Sequence, residues 1–370
     1  MASSKGKNIV ICLDGTGNQF KEENSNVVKL FRVLERSSDQ EVAYYDPGVG
    51  TLADPSYKTP IAKKINKGLG LAFGRGLTKN IEQAYSYLMD QYEENDRIFI
   101  FGFSRGAYTA RALAGFIRAC GLLEKGCQNL IPYAMKLYKT QPPNFEILQK
   151  FKSTYGRNCK IHFLGLWDSV STFGWIYDPV FLPFTSNNKC VQTVRHALAI
   201  DERRAFYQPV LWGREFEKSQ DIKEVWFAGV HSDVGGGYGE SKSCLGKITL
   251  KWMLDEARAD NIGLKISDEK YQRYVMGTKD GKYVGPSVEK DPETSLKGAW
   301  WLVQRLPQRI WNHKQQRKVL QFPKQFRQIE PGSTLHHSVL EKINTTVYRP
   351  ENLPSYDEIN LRNQFCIEAL

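Results

Sequence analysis

Four apolar runs punctuate the first two thirds of the chain: Asn8–Leu13 (NIVICL), Arg97–Phe103 (RIFIFGF), Ile161–Trp167 (IHFLGLW) and Glu224–Val230 (EVWFAGV). Each is too short for a helix of ordinary length and has no steady polar alternation, so each reads as a strand buried on both faces. Glu41–Tyr45 is a fifth strand, closed by Asp46-Pro47-Gly48. Between the runs the apolar spacing turns helical. Val27–Leu34 has Asn24 and Ser25 as caps, and Leu77–Tyr92, Ala107–Cys120, Val191–Phe206 and residues 248–260 follow the same period. Strands alternating with helices predict an α/β protein with a mostly parallel sheet covered by helices on both faces. Residues 121–158 look less regular and read as an insertion or lid. The core is expected over 1–262, with 263–370 as a C-terminal subdomain or cap. A glycine-rich stretch, Gly68 to Gly76, follows a basic segment rather than a strand. It therefore lacks the context of a dinucleotide loop and reads as a flexible lead into the helix at 77.

The runs end on residues that can do chemistry. Gly102-Phe103-Ser104-Arg105-Gly106 fits G-x-S-x-G between a strand and a helix. There a sharp turn lifts the serine hydroxyl clear of the sheet and the helix start offers amide N–H groups to an oxyanion. The bland alternative is a serine that merely caps the helix. His231 follows the strand 224–230 and is the candidate general base, since ligand chemistry collects at the carboxyl ends of parallel strands. His196, placed mid-helix, is the reserve, and His162 lies inside a strand. Asp168 ends its strand and is the candidate orienting acid, with Asp233 as the main rival and Asp201 also possible. The order Ser104, Asp168, His231 suits an α/β-hydrolase. For the oxyanion, the backbone N–H of Arg105 is one donor, and Gly15 or Thr16, in the turn after the first strand, is the other.

Composition narrows the setting. The 370 residues are 41% hydrophobic and 25% charged, ordinary for a globular protein. No apolar run reaches the ~18 residues of a transmembrane helix. The start of the chain lacks the apolar region and cleavage site of a signal peptide, so a cytoplasmic protein is expected unless a specialised machine exports it. Seven widely spaced cysteines (12, 120, 127, 159, 190, 244, 366) argue for reduced thiols rather than a disulfide scaffold or zinc finger. Net charge is +11, and residues 297–329 hold eight Lys or Arg and no acid, together with Trp300, Trp301 and Trp311. Such a segment can lie on an anionic membrane, although Pro307 and Pro323 prevent one long helix. The competing reading packs its tryptophans on the core, and nucleic-acid binding is not expected.

A set of motifs in fixed order carries a resemblance: Leu13-Asp14-Gly15-Thr16-Gly17-Asn18, Tyr45-Asp46-Pro47-Gly48-Val49-Gly50, Phe73-Gly74-Arg75-Gly76, Gly102-Phe103-Ser104-Arg105-Gly106-Ala107-Tyr108, Gly165-Leu166-Trp167-Asp168-Ser169-Val170, Arg195-His196-Ala197-Leu198 and Val230-His231-Ser232-Asp233-Val234-Gly235-Gly236-Gly237-Tyr238. Over roughly 8–260 the chain resembles the α/β-hydrolase domain family related to the Tle-type phospholipase effectors of type VI secretion. The resemblance implies that fold, a Ser-Asp-His triad and, in effector members, phospholipase activity. The expected function is hydrolysis of lipid or other acyl esters without metal or organic cofactor. Two alternatives stand beside it. One is a metal-dependent phosphohydrolase built on Asp14, Asp168, His231 and Asp233. The other is a non-catalytic module that binds an anionic partner through 297–329.

Overall fold

The computed structural model describes residues 6–15, 24–36, 39–48, 70–170, 174–175, 178–179, 182–204, 207–213, 217–297, 301, 308–312, 317–321 and 326–368. Its elements are β1 (Asn8–Leu13), α1 (Asn26–Val33), β2 (Glu41–Asp46), α2 (Gly70–Gln91), β3 (Arg97–Phe103), α3 (Arg105–Cys120), α4 (Ile131–Lys139), α5 (Phe145–Tyr155), β4 (Ile161–Trp167), β5 (Val191–Ala199), β6 (Asp221–Phe227), α6 (His231–Gly235), α7 (Cys244–Arg258), β7 (Thr334–His336), α8 (His337–Thr345), α9 (Glu358–Gln364) and β8 (Cys366–Glu368). The eight strands form one sheet in the order β8-β7-β6-β5-β4-β3-β1-β2. Every neighbouring pair in it is parallel.

Alternating side chains explain why both faces carry helices. In β1, Ile9, Ile11 and Leu13 join one apolar cluster with α2, α3, α4 and α5. Val10 and Cys12 point into a second cluster, with Phe99, Phe101 and Phe103 of β3 and the apolar stripes of α1 and α7. A third cluster, of Leu198, Trp226, Leu335, Val339 and Leu361, binds α8 and α9 to the far edge of the sheet.

Several expectations need correction. Val191–Phe206 is not a helix: residues 191–199 form β5, paired with β4 and β6 along its length, and His196 therefore sits in a strand. Apolar residues at 191, 194, 197 and 198 mimic helical spacing because both faces of the strand are buried, which removes polar alternation. The glycine-rich lead is part of a helix, since α2 begins at Gly70. Residues 121–158 are regular. Leu122–Leu123 pairs with Gly156–Arg157, and α4 and α5 between them bury Met135, Tyr138, Leu148 and Phe151 in the first cluster. This unit springs from the end of α3 opposite Ser104, roughly 24 Å away at 1.5 Å per residue. Beyond residue 262 the chain supplies β7 and β8 to the same sheet. Within the basic stretch, Gln308–Asn312 and Arg317–Gln321 form an antiparallel ribbon.

Candidate active site

The strands being parallel, Gly15, Ser104, Asp168 and the segment leading to His231 all emerge at one edge. Strand order reverses between β1 and β3, where the chain first runs to β2 and then crosses back. This switch point opens a crevice between their carboxyl ends, and Ser104 lies beside it.

Ser104 sits at φ 59°, ψ −122°, between β3 and α3. That is strained for a non-glycine residue, and the neighbouring glycines make room for it. A Cβ on Gly102 would lie 2.6 Å from the Gly106 carbonyl oxygen, and one on Gly106 would lie 2.2 Å from that of Leu13. The turn is anchored by the Ser104 N–H, which donates to Trp167 O at 3.0 Å. The Ser104 hydroxyl makes no capping bond to α3. Its Oγ lies 2.7 Å from His231 Nε2, and His231 Nδ1 lies 2.5 Å from Asp168 Oδ2. The network assigns the proton to Nδ1, leaving Nε2 to accept from Ser104.

His231 is buried, with Phe103 at 4.7 Å and Tyr207 edge-on at 4.8 Å between ring centroids. Burial lowers the imidazole below its usual proton affinity, against the pull of Asp168 and Glu202. The ring is thus neutral at pH 7 and able to receive a proton. Its own backbone N–H donates to Glu202 Oε2, which Arg204 pairs at 2.9 Å.

Asp168 also has a left-handed backbone, φ 41°, and is wholly buried. Burial pushes its carboxyl up, but the Arg327 guanidinium and the His231 hydrogen bond hold it well below the usual carboxylate range. Arg327 Nη1 donates to Oδ1 at 2.6 Å, Nη2 to Oδ2 at 2.9 Å, and Ala199 N–H to Oδ1 at 3.1 Å. Sequence reasoning counted Arg327 only as one of eight basic residues. Its partner lies 159 residues away, and no local pattern marks such a pairing.

The other candidates are engaged elsewhere. Asp233 Oδ2 accepts from the backbone N–H groups of Val230 and Glu293. Asp201 accepts from Gly229 N–H and the Tyr348 hydroxyl. His196 accepts from Ser169 N–H through Nε2 and donates through Nδ1 to Glu224 at 2.8 Å. His162 bridges Ile262 O and Gln192 at the opposite end of β4. Asp14 accepts from the hydroxyls of Ser25 and Tyr45, at 2.6 and 2.9 Å. Of the four residues weighed as metal ligands, Asp168 and His231 meet each other. Among the described residues no group of three or more His, Cys, Asp or Glu is arranged to hold a metal ion.

Arg105 opens α3. Gly15 lies in the strand exit that abuts Gly106, with its N–H turned to Asp14 Oδ1 at 2.6 Å; Thr16 lies outside the described residues. In the basic stretch, Trp301 is 56% exposed, while Arg327 faces inward; Trp300 and the side chain of Trp311 lie outside the described residues. All seven cysteines are free. Among the described residues no helix is long and apolar enough to cross a membrane.

A family model described as "T6SS, Phospholipase effector Tle1-like, catalytic domain" matches residues 7–256. An uncharacterised protein of Saccharomyces cerevisiae is 38% identical over 224 residues, 56% of this chain and 33% of the yeast protein. Two solved structures are also similar. An uncharacterised protein from Pseudomonas aeruginosa aligns at TM-score 0.47 and 19% identity, over 76% of this chain and 49% of that one. The Tle1 effector bound to the VgrG spike from the Type 6 secretion system aligns at TM-score 0.37 and 20% identity, over 65% and 52%. The chain thus spans a third of the yeast relative and about half of each solved chain. Since the family model takes in well over half of the sequence, from β1 through α7, the chain belongs to the Tle1-like phospholipase-effector catalytic-domain family.

Proposed function

We propose that the chain is a serine hydrolase of lipid esters, with phospholipid as substrate, working through Ser104, His231 and Asp168. The observation that carries this reading is the continuous file from Ser104 Oγ through the His231 ring to Asp168, with contacts of 2.7 and 2.5 Å at a strained strand-to-helix turn. Family membership supports the choice of lipid ester.

In this mechanism His231 Nε2 takes the Ser104 proton as Oγ attacks the ester carbonyl. The buried Asp168 carboxylate holds the tautomer and stabilises the imidazolium that forms. The Arg105 amide at the head of α3 stabilises the oxyanion, and the second donor falls to Thr16 because the Gly15 N–H is taken by Asp14 Oδ1. His231 then returns its proton to the leaving alcohol. Water hydrolyses the acyl-enzyme, with His231 as base again. Peripheral contact with an anionic membrane through 297–329 belongs to the same reading and draws support from that stretch's charge and the exposed Trp301. So does export by a dedicated secretion machine, in keeping with the family.

The test is labelling by a fluorophosphonate, wild type beside Ser104→Ala, with and without chelator, followed by fatty-acid release from phospholipid vesicles. Labelling that is lost in Ser104→Ala and indifferent to chelator, with release from vesicles, is expected. An unlabelled wild type sinks the nucleophile assignment. Cleavage of soluble esters without any release from vesicles sinks the lipid.

A further inference from the structure

We propose that Arg327 is a positioning residue for this reaction: its guanidinium clamps the Asp168 carboxylate toward His231, making the chain around residue 327 part of the catalytic centre. The proposal rests on the triad reading above. Arg327 lies beyond the residues the family model matches, 7–256.

Arg327 is 2% exposed. Its two terminal nitrogens straddle the carboxylate, one on each oxygen, and each also donates to a backbone carbonyl, Nη1 to Ala199 O at 2.9 Å and Nη2 to Tyr207 O. With the Ala199 amide and the His231 ring added, both carboxylate oxygens are saturated and the plane of the group is fixed. A planar fork of donors suits this task, which a lysine would meet only as a point charge. The segment is itself tethered, since Asn352 Nδ2 donates to both Arg327 O and Ile200 O.

A purely structural role is the competing explanation: the arginine would only staple residues 326–329 to the sheet. Apolar packing would do that more cheaply, because removing a guanidinium from water costs several kcal/mol before any pairing. The charge also lies where it alters the reacting groups. Around the His231–Asp168 pair stand Arg327, Glu202 with its partner Arg204, the phenol of Tyr207, and neutral His196 on β5. The two acids and two bases among these charged groups balance. Without Arg327 the pocket carries one uncompensated negative charge. The pair then takes up a proton at higher pH, whichever partner holds it.

The experiment is the pH profile of kcat/KM for a short soluble ester, using the full chain as wild type, Arg327→Met and Arg327→Lys. With Arg327→Met the acid limb should move up by about 1 pH unit or more, the usual effect of one close charge. KM should stay put while kcat falls at least tenfold, because Arg327 touches no substrate. Arg327→Lys keeps the charge and loses the fork. Its limb should stay within about 0.3 units of wild type while kcat still falls. Should Arg327→Met not fold, the lysine variant decides alone: normal kcat means that the clamp is irrelevant. A limb unmoved in Arg327→Met, with kcat within twofold of wild type, overturns the proposal and leaves the triad reading standing. A wild type that neither hydrolyses esters nor reacts with a fluorophosphonate overturns both.

Discussion

Replacing Asp168 by asparagine should damage stability as well as activity, and the two can be separated. The substitution removes one charge from a buried pair in which Arg327 is 2% exposed and Asp168 fully covered. The guanidinium would then keep only the carbonyls of Ala199 and Tyr207 as strong acceptors. Removing one partner of such a pair costs ~3–5 kcal/mol. In the proposed mechanism, loss of the Asp168 carboxylate should lower kcat on the order of 10⁴-fold. Adding Arg327→Met to Asp168→Asn deletes the stranded charge and leaves the two carbonyls unpaired, a cost of ~1–3 kcal/mol for each. Each single substitution strands the opposite charge and the double variant strands neither, so the double variant should lose less than the two single losses summed, by about 3 kcal/mol or more, while its activity stays down. Urea unfolding at pH 7, followed by tryptophan fluorescence and circular dichroism, gives the stabilities; ester hydrolysis gives the rates. If Asp168→Asn unfolds within about 1 kcal/mol of wild type, or if the two substitutions simply add, Arg327 does not depend on this carboxylate and the electrostatic argument fails.

Two further outcomes bear on the loop after His231. Burial raises the Asp233 carboxyl to about 6. The folded chain therefore binds a proton that the unfolded chain has released, and stability falls as pH climbs from about 4 to 6. Asp233→Asn keeps an oxygen for the Val230 and Glu293 amides, so it should gain about 3 kcal/mol at pH 7 and flatten that slope. A loss at pH 7 would contradict the assignment. Gly235 has no room for a methyl group, since a Cβ there would lie 1.9 Å from the Phe103 ring, which itself packs on His231. Gly235→Ala should cost ~1–3 kcal/mol and slow hydrolysis more than it raises KM. Unchanged kcat would show that the Phe103 contact is dispensable.

Much of this site is legible in the sequence, for a physical reason. Buried strands of a parallel sheet are short apolar runs, and the first residue past each run emerges at the reactive edge, so the residue pattern alone picks out Ser104 and Asp168. His231 stands only four residues past β6. What escapes is whatever depends on distance or on burial from both sides. β5 imitates a helix because both of its faces are buried, so its polar residues do not alternate with apolar ones. β7 and β8 are three residues each, too short for any period to show. Choosing Asp168 over Asp233 and Asp201 takes hydrogen-bond geometry, since all three follow strands. Arg327 is indistinguishable from its basic neighbours until the fold brings it beneath β5.

The 159 residues between Asp168 and its guanidinium also bear on how the molecule matures. Closing so long a loop is entropically slow and comes after local contacts have formed. During synthesis the six strands from β1 to β6 leave the ribosome before residue 327 does. A nascent chain can thus assemble most of its sheet while the acid beside the future base has no counter-ion. Such an intermediate has every residue named in the mechanism and lacks the charge that sets them. On the proposed reading, full hydrolytic competence would then appear as the last step of folding, after residue 327 has docked.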